Sequence, residues 1–264
     1  MNKWTLGLCM FAHILVLVIM TFVIVPAAQL TLSILDVGQG DATLLVTAKG
    51  KVVLIDAGPG QNVLAPLSKA LPPFVRHIDL LVLTHPHADH IDGALALLPR
   101  YSLGGVIITN VAYKSVNFTR FIAEIHKKNI PLFVAQADMD WQLENGVIVD
   151  ILFPFTAISQ KNFRNVNNSS LVFLLSTPYT RCLFTGDMEK ELETLLLRYY
   201  QNLLAASYLK VAHHGSKTSS SPAFLQMVRP KEMWISVGKK NKFKSLNRKS
   251  CKNTQNLAIS TIAT

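Results

Sequence analysis

Cysteine is scarce in this chain. Only Cys9, Cys182 and Cys251 occur among 264 residues, and no two sit at the spacing of a disulfide framework or a thiolate zinc site. Charge is thin as well, at 16% of residues against 50% hydrophobic. No stretch rich in Gly, Pro or Ser divides the chain, which excludes domains joined by a flexible linker. The length then suits one α/β domain large enough to bury a substantial core.

Part of the apolar excess is concentrated in Trp4–Val25, where His13 is the only strongly polar side chain. At roughly 1.5 Å per residue such a run can cross a bilayer. A signal peptide has a shorter apolar stretch, about 7–15 residues, before a small-residue cleavage site. Residues 1–28 therefore read as a membrane-spanning segment or signal anchor. Lys3 orients its start to the cytoplasm and the remainder to the extracytoplasmic side. The alternative is secretion after cleavage near Val25-Pro26-Ala27.

Acidic residues vanish from the C-terminal stretch, which holds Lys239, Lys240, Lys242, Lys244, Arg248, Lys249 and Lys252. Removing those seven leaves +3 of the formal +10. Residues 244–264 read as a disordered, solvated basic tail, with nucleic acid or anionic lipid as the alternative partner.

Between these ends the pattern is of short strands and helices in alternation. Strands are expected at Leu30–Leu35, Ala42–Thr47, Lys51–Ile55, Ile78–Thr84, Val106–Thr109, Pro131–Ala135, Val147–Phe153, Ser170–Ser176, Arg181–Phe184, Tyr208–Val211 and Glu232–Val237. Helices are expected at Leu64–Leu71, Asp92–Leu98, Phe118–Lys128, Glu189–Tyr200 and Pro222–Met227. The interleaving without a break places one domain over residues 29–243.

The chemistry is concentrated where the fourth of those strands ends. Thr84-His85-Pro86-His87-Ala88-Asp89-His90 places three imidazoles and a carboxylate together, which packing alone does not explain. Such nitrogen–oxygen sets suit Zn or Mn. Asp187 follows a strand and a glycine, where its carboxylate can be shared by two ions or can cap the next helix. His213-His214-Gly215-Ser216 gives two more imidazoles at a strand end; one completes a metal shell and the other contacts substrate, with His213 favoured as ligand. Ser216 and Thr218 are either phosphate contacts or turn residues. Asp41 reads as a partner orienting a ligand histidine, and Asp56 as a structural turn residue or a second such partner.

His-x-His-x-Asp-His after an apolar strand resembles the signature of the metallo-β-lactamase superfamily. The resemblance implies an αββα sandwich, with His85 and His87 on one divalent ion and Asp89 and His90 on another. Further motifs are similar to the hydrolase domain of the ComEC competence family. They are Leu35-Asp36-Val37-Gly38-Gln39-Gly40-Asp41-Ala42, Ile55-Asp56-Ala57-Gly58, Asn167-Asn168-Ser169-Ser170, Phe184-Thr185-Gly186-Asp187 and Leu209-Lys210-Val211-Ala212-His213-His214-Gly215-Ser216. Asn168 stands near where many superfamily members place a further histidine, so it and Ser169 are expected to bind substrate. Asp89, Asp187 and His214 are the expected catalytic residues.

The resemblance implies a two-ion phosphodiesterase, a nuclease acting on single-stranded DNA during uptake, with channel proteins as partners. Hydrolysis of a small phosphoester, such as a choline-phosphate ester, is the alternative within the same superfamily. ComEC-like domains continue into a Gly-His-Pro turn and a helix. Here Lys244-Ser245-Leu246 follows instead, and no histidine occurs after His214. A truncated, non-catalytic remnant is therefore a third expectation.

Overall fold

A computed structural model describes residues 29–238, strand 258–263 and the isolated positions 4, 10 and 13. The segment expected to span a membrane otherwise lies outside the described residues, as does most of the basic tail. Among the described residues, no helix is long and apolar enough to cross a membrane.

The strands form two stacked sheets. The first holds β1 (Thr31–Ile34), β2 (Thr43–Val46), β3 (Val52–Ile55), β5 (Leu80–Val82), β7 (Val106–Ile108) and β8 (Leu132–Val134), hydrogen-bonded in that order. Between them lie α1 (Leu64–Ala70), α2 (Ala88–Leu97) and α3 (Val116–Lys127). A small parallel pair, β4 (His77–Ile78) with β6 (Ser102–Leu103), flanks this half. The second sheet contains β9 (Trp141–Glu144), β10 (Val147–Phe153), β11 (Val172–Ser176), β12 (Arg181–Phe184), β13 (Tyr208–Lys210), β14 (Glu232–Val237) and β15 (Ala258–Ala263), adjacent in chain order. Helices α4 (Lys190–Tyr200) and α5 (Pro222–Val228) belong to this half.

Alternation along the strands explains the layering. Within β3, Val52 and Leu54 face the helices of the first half, while Val53 and Ile55 face the other sheet. Within β11, Val172 and Leu174 join the core shared with α4 and α5, while Phe173 and Leu175 point inward. Period-two side chains with both faces apolar bury a strand on two sides. Three apolar cores result: helix on sheet, sheet on sheet, sheet on helix. This is the expected αββα sandwich.

Besides the short β4–β6 pair, which was not expected and takes Ile78 out of the expected strand Ile78–Thr84, two elements differ from the sequence reading. Helix α2 begins at Ala88, four residues earlier than expected, because His87 takes the extended cap position and Asp89 in the first turn suits the helix N-terminus. Strand β9 was not expected. It pairs with β10 through Asn145-Gly146, with Gly146 at φ +80°, a tight hairpin connection.

A third difference lies in the tail. Residues 258–263 are not irregular: they pair in parallel with β14 from Glu232↔Ala258 to Val237↔Ala263. An edge strand offers a row of free N–H and C=O groups, which this pairing uses along β14.

Candidate metal centre

The candidate residues meet at one end of the two sheets. After β5, the chain leaves Leu83 and Thr84 for His85, turns through Pro86 and enters α2 at His87, so Asp89 and His90 occupy the first helical turn. Asp187 follows β12 across Gly186, which has φ +49°; a Cβ there would lie 2.8 Å from that of Ser170. The Asp187 amide donates to Ser170 Oγ at 3.0 Å, fixing the turn. His213 and His214 follow β13, both left-handed at φ +49° and +50°. Two adjacent non-glycine residues in that region store strain of a kind found at functional sites.

Asp187 stands between two groups. Its Oδ1 lies 3.3 Å from His90 Nε2, and its Oδ2 lies 3.8 Å from His85 Nε2 and 3.7 Å from His214 Nε2. His214 Nε2 also lies 3.2 Å from Asp89 Oδ2. Asp89, His90, Asp187 and His214 offer ligand atoms all within 4.8 Å of one another. His85 and His87 adjoin them, with Nε2 and Nδ1 3.1 Å apart.

The other ring nitrogens are anchored. His90 Nδ1 lies 2.8 Å from Asp56 Oδ2, while Asp56 also accepts from the Thr84 amide and hydroxyl, each at 2.8 Å. His214 Nδ1 donates to the Ser236 carbonyl at 3.0 Å and lies 3.5 Å from Asp41 Oδ1. Such partners orient an imidazole so that its remaining nitrogen faces an ion. Among the described residues, His90 Nε2 and Asp187 Oδ1 are buried and face each other at 3.3 Å, with no other polar partner that forms a hydrogen bond with either. Buried polar groups are seldom left so. Two nitrogens and two carboxylates around bare ligand atoms fit a divalent cation.

Electrostatics agree with that fit. Burial opposes charge on Asp187, but His90 and His214 outweigh it and hold the carboxyl well below its ordinary range. Burial likewise opposes charge on Asp89, yet His214 and His90 bring it down to about 2. His214 is disfavoured as a cation by burial, but Asp187 and Asp41 lift it to about 10. His85 moves the other way, lowered by burial and by His90. The carboxylates around His90 and His214 thus favour positive charge at this place.

The remaining site candidates fall elsewhere. His213, favoured above as a ligand, is outside the four-residue group; its Nδ1 lies 3.3 Å from Glu189 Oε1 and its side chain is 31% exposed. His214 joins the four-residue group instead, after two successive residues with left-handed backbone. Asn168 donates to Glu191 Oε2 at 3.0 Å and accepts from the Glu189 amide at 2.9 Å, so both ends of its amide are engaged. Ser169 is fully buried, with its hydroxyl on the Val166 carbonyl. Ser216 and Thr218 pair with each other at 3.0 Å, beside His213. Asp41 and Asp56 both stand behind ligand histidines.

Two residues escaped the sequence reading. Lys210 is buried at 3% exposure and its ammonium meets Asp41 at 2.5 Å. A lone cation inside the apolar run Tyr208-Leu209-Lys210-Val211 was the available signal. Tyr113 packs edge-on against His87, with centroids 5.5 Å apart.

An αββα sandwich with a carboxylate between two histidine groups at its sheet edge defines a class of metal-dependent hydrolases. The chain belongs to the metallo-β-lactamase superfamily: the Metallo-beta-lactamase superfamily profile matches residues 35–239. Its relatives include ComE operon protein 3 of Bacillus subtilis, 29% identical over 87% of this chain and 31% of that protein. Recombination protein 2 of Haemophilus influenzae is 31% identical over 80% of this chain and 24% of that protein. The chain thus spans about a quarter to a third of the length of these relatives. Among solved structures, the metallo-beta-lactamase fold protein YhfI from Bacillus subtilis superposes with a TM-score of 0.55 over 87% of this chain and 96% of its own, at 13% identity. That likeness concerns the fold.

Proposed function

We propose that this metallo-β-lactamase-fold hydrolase cleaves phosphodiesters, and that its substrate is single-stranded DNA handled during competence. The placement of Asp187 between the His85 side and the His90–His214 side carries the reading. Two divalent ions, Zn or Mn, supply polarisation of the phosphoryl group and a water whose pKa falls towards neutrality.

The chain's own residues prepare that chemistry. Asp56 and the Ser236 carbonyl fix the rings of His90 and His214, which leaves the Nε2 atoms facing Asp187. His87 and Tyr113 border the partly open side, where a substrate enters. The competence relatives favour DNA over a small phosphoester. The candidate centre is assembled from residues 41–236, so the altered sequence from Lys244 onward removes none of its described parts; this favours an active domain over a remnant. Membrane attachment through residues 4–25, an extracytoplasmic position and channel partners belong to the same proposal.

The test is hydrolysis of single-stranded DNA and of a chromogenic phosphodiester by the full chain with Mn²⁺ or Zn²⁺, with His87→Ala as control. Metal-dependent cleavage that disappears in the variant is the expected result. Stoichiometric metal binding with no cleavage of either substrate overturns the reading.

A further inference from the structure

We infer that the two ion positions flanking Asp187 are unequal, with one ion held permanently and the other exchanging with solution. The inference rests on the metallohydrolase reading above and concerns how many protein donors each position receives.

One side is complete. Asp89, His90, Asp187 and His214 present four donors within 4.8 Å of one another, and three of the four are buried. Their rings and carboxylates are held from behind by Asp56, Asp41, the Ser236 carbonyl and Ser170. A tetrahedral ion finds all its donors preformed there.

The other side is short of donors. His85 and His87 share only Asp187 with the first group, and the three do not form a compact set of the kind just described. The neighbouring side chains that could supply another donor are committed elsewhere. Asn168 has its amide nitrogen on Glu191 and its amide oxygen on the Glu189 backbone. Glu189 itself accepts from Asn167 at 3.1 Å and faces His213 at 3.3 Å. His213 has its Nδ1 turned to Glu189 and Thr218 and is outside the four-donor group. An amide is in any case a weak donor for Zn²⁺ or Mn²⁺ beside imidazole and carboxylate.

Loss of an outer hydrogen-bond partner weakens a metal site roughly 10–100-fold, and loss of a whole donor weakens it at least as much. The two dissociation constants therefore differ by about 10-fold or more.

The experiment strips the full chain with a chelator, loads it with Mn²⁺, dialyses it and counts the metal retained. Calorimetric titration with Mn²⁺ alone then measures what was lost. About one ion per chain is expected to survive dialysis, and a second, weaker isotherm to appear. His87→Ala should abolish the weak isotherm and keep the retained ion. His214→Ala should lose the retained ion, and Asp89→Asn, whose side chain is 34% exposed, does the same if the first variant fails to fold. Two ions retained with equal affinity overturn the inference, as does a retained ion that His87→Ala removes and both other variants keep. Because metal is counted without substrate, an inert protein with unequal sites supports the inference while overturning the phosphodiesterase reading. An active protein with two equal ions overturns the inference alone.

Discussion

The Lys210 ammonium meets the Asp41 carboxylate at 2.5 Å, joining residues 169 positions apart. Asp41 lies between β1 and β2 of the first sheet, and Lys210 ends β13 of the second. Both are nearly excluded from solvent, at 4% and 3% exposure. Asp41 in turn faces His214, and its amide donates to the Asp89 carbonyl at 3.1 Å. One ion pair therefore connects the two halves behind the candidate metal centre.

Removing one partner of a buried pair leaves an uncompensated charge, at a loss of about 3–5 kcal/mol. Lys210→Met should destabilise the metal-free chain by that amount in urea unfolding. Adding Asp41→Asn removes the stranded charge and should return a large part of the loss. A single variant as stable as the wild type, or a double variant no better than the single, would show that the pair is not coupled.

Asp56 acts on a different ring. It receives the Thr84 amide and hydroxyl and faces His90 Nδ1. Asp56→Asn keeps the shape but loses the charge that favours the required His90 tautomer. Metal affinity should fall about 10–100-fold, with little change in far-UV circular dichroism. Unchanged affinity by calorimetry would assign Asp56 to the turn alone.

Proton release gives a third measurement. His214 is raised from 6.5 to about 10 in the metal-free chain. Its stabilising interactions as a cation are thus fully present below pH 6.5 and fade as pH rises through about 10. Ligation needs the neutral ring, so metal binding must displace the proton. Apparent affinity should rise about tenfold per pH unit for each proton displaced, between about pH 7 and about pH 9. Calorimetry in buffers of different ionisation enthalpy checks this, and a buffer-independent heat would contradict it.

Gly40 sits tightly against the backbone of Asp89. Its φ is +144°, and a Cβ would lie 2.3 Å from the Asp89 carbonyl oxygen. Gly40→Ala should therefore displace the first turn of α2, which carries Asp89 and His90, and lower metal retention. Retention at the wild-type level, measured after dialysis, would mean that the loop absorbs the methyl group without moving the helix.

Much of the fold was legible because strands such as Val52–Ile55 and Val172–Ser176 are apolar on both faces, a pattern that buried sheets require. The His85–His90 cluster was legible because its ligands are consecutive along the chain. The choice between His213 and His214 was not. It depends on two left-handed residues whose ring directions no spacing reveals. Strand β9 had a signal in Asn145-Gly146, but Trp141-Gln142-Leu143-Glu144 is short and mixed in polarity. Lys210 was hidden for another reason: its partner is 169 positions away.

Strand β14 does more than close a sheet. The Ser236 carbonyl accepts from His214 and its hydroxyl donates to the Gly40 carbonyl at 2.6 Å. The last strand of the matched domain is therefore part of the scaffold around the ligands, although it supplies none of them. The orientation of the His214 ring thus depends on the docking of a strand that begins eighteen residues further along the chain, so the candidate centre and the edge of the second sheet form one cooperative unit.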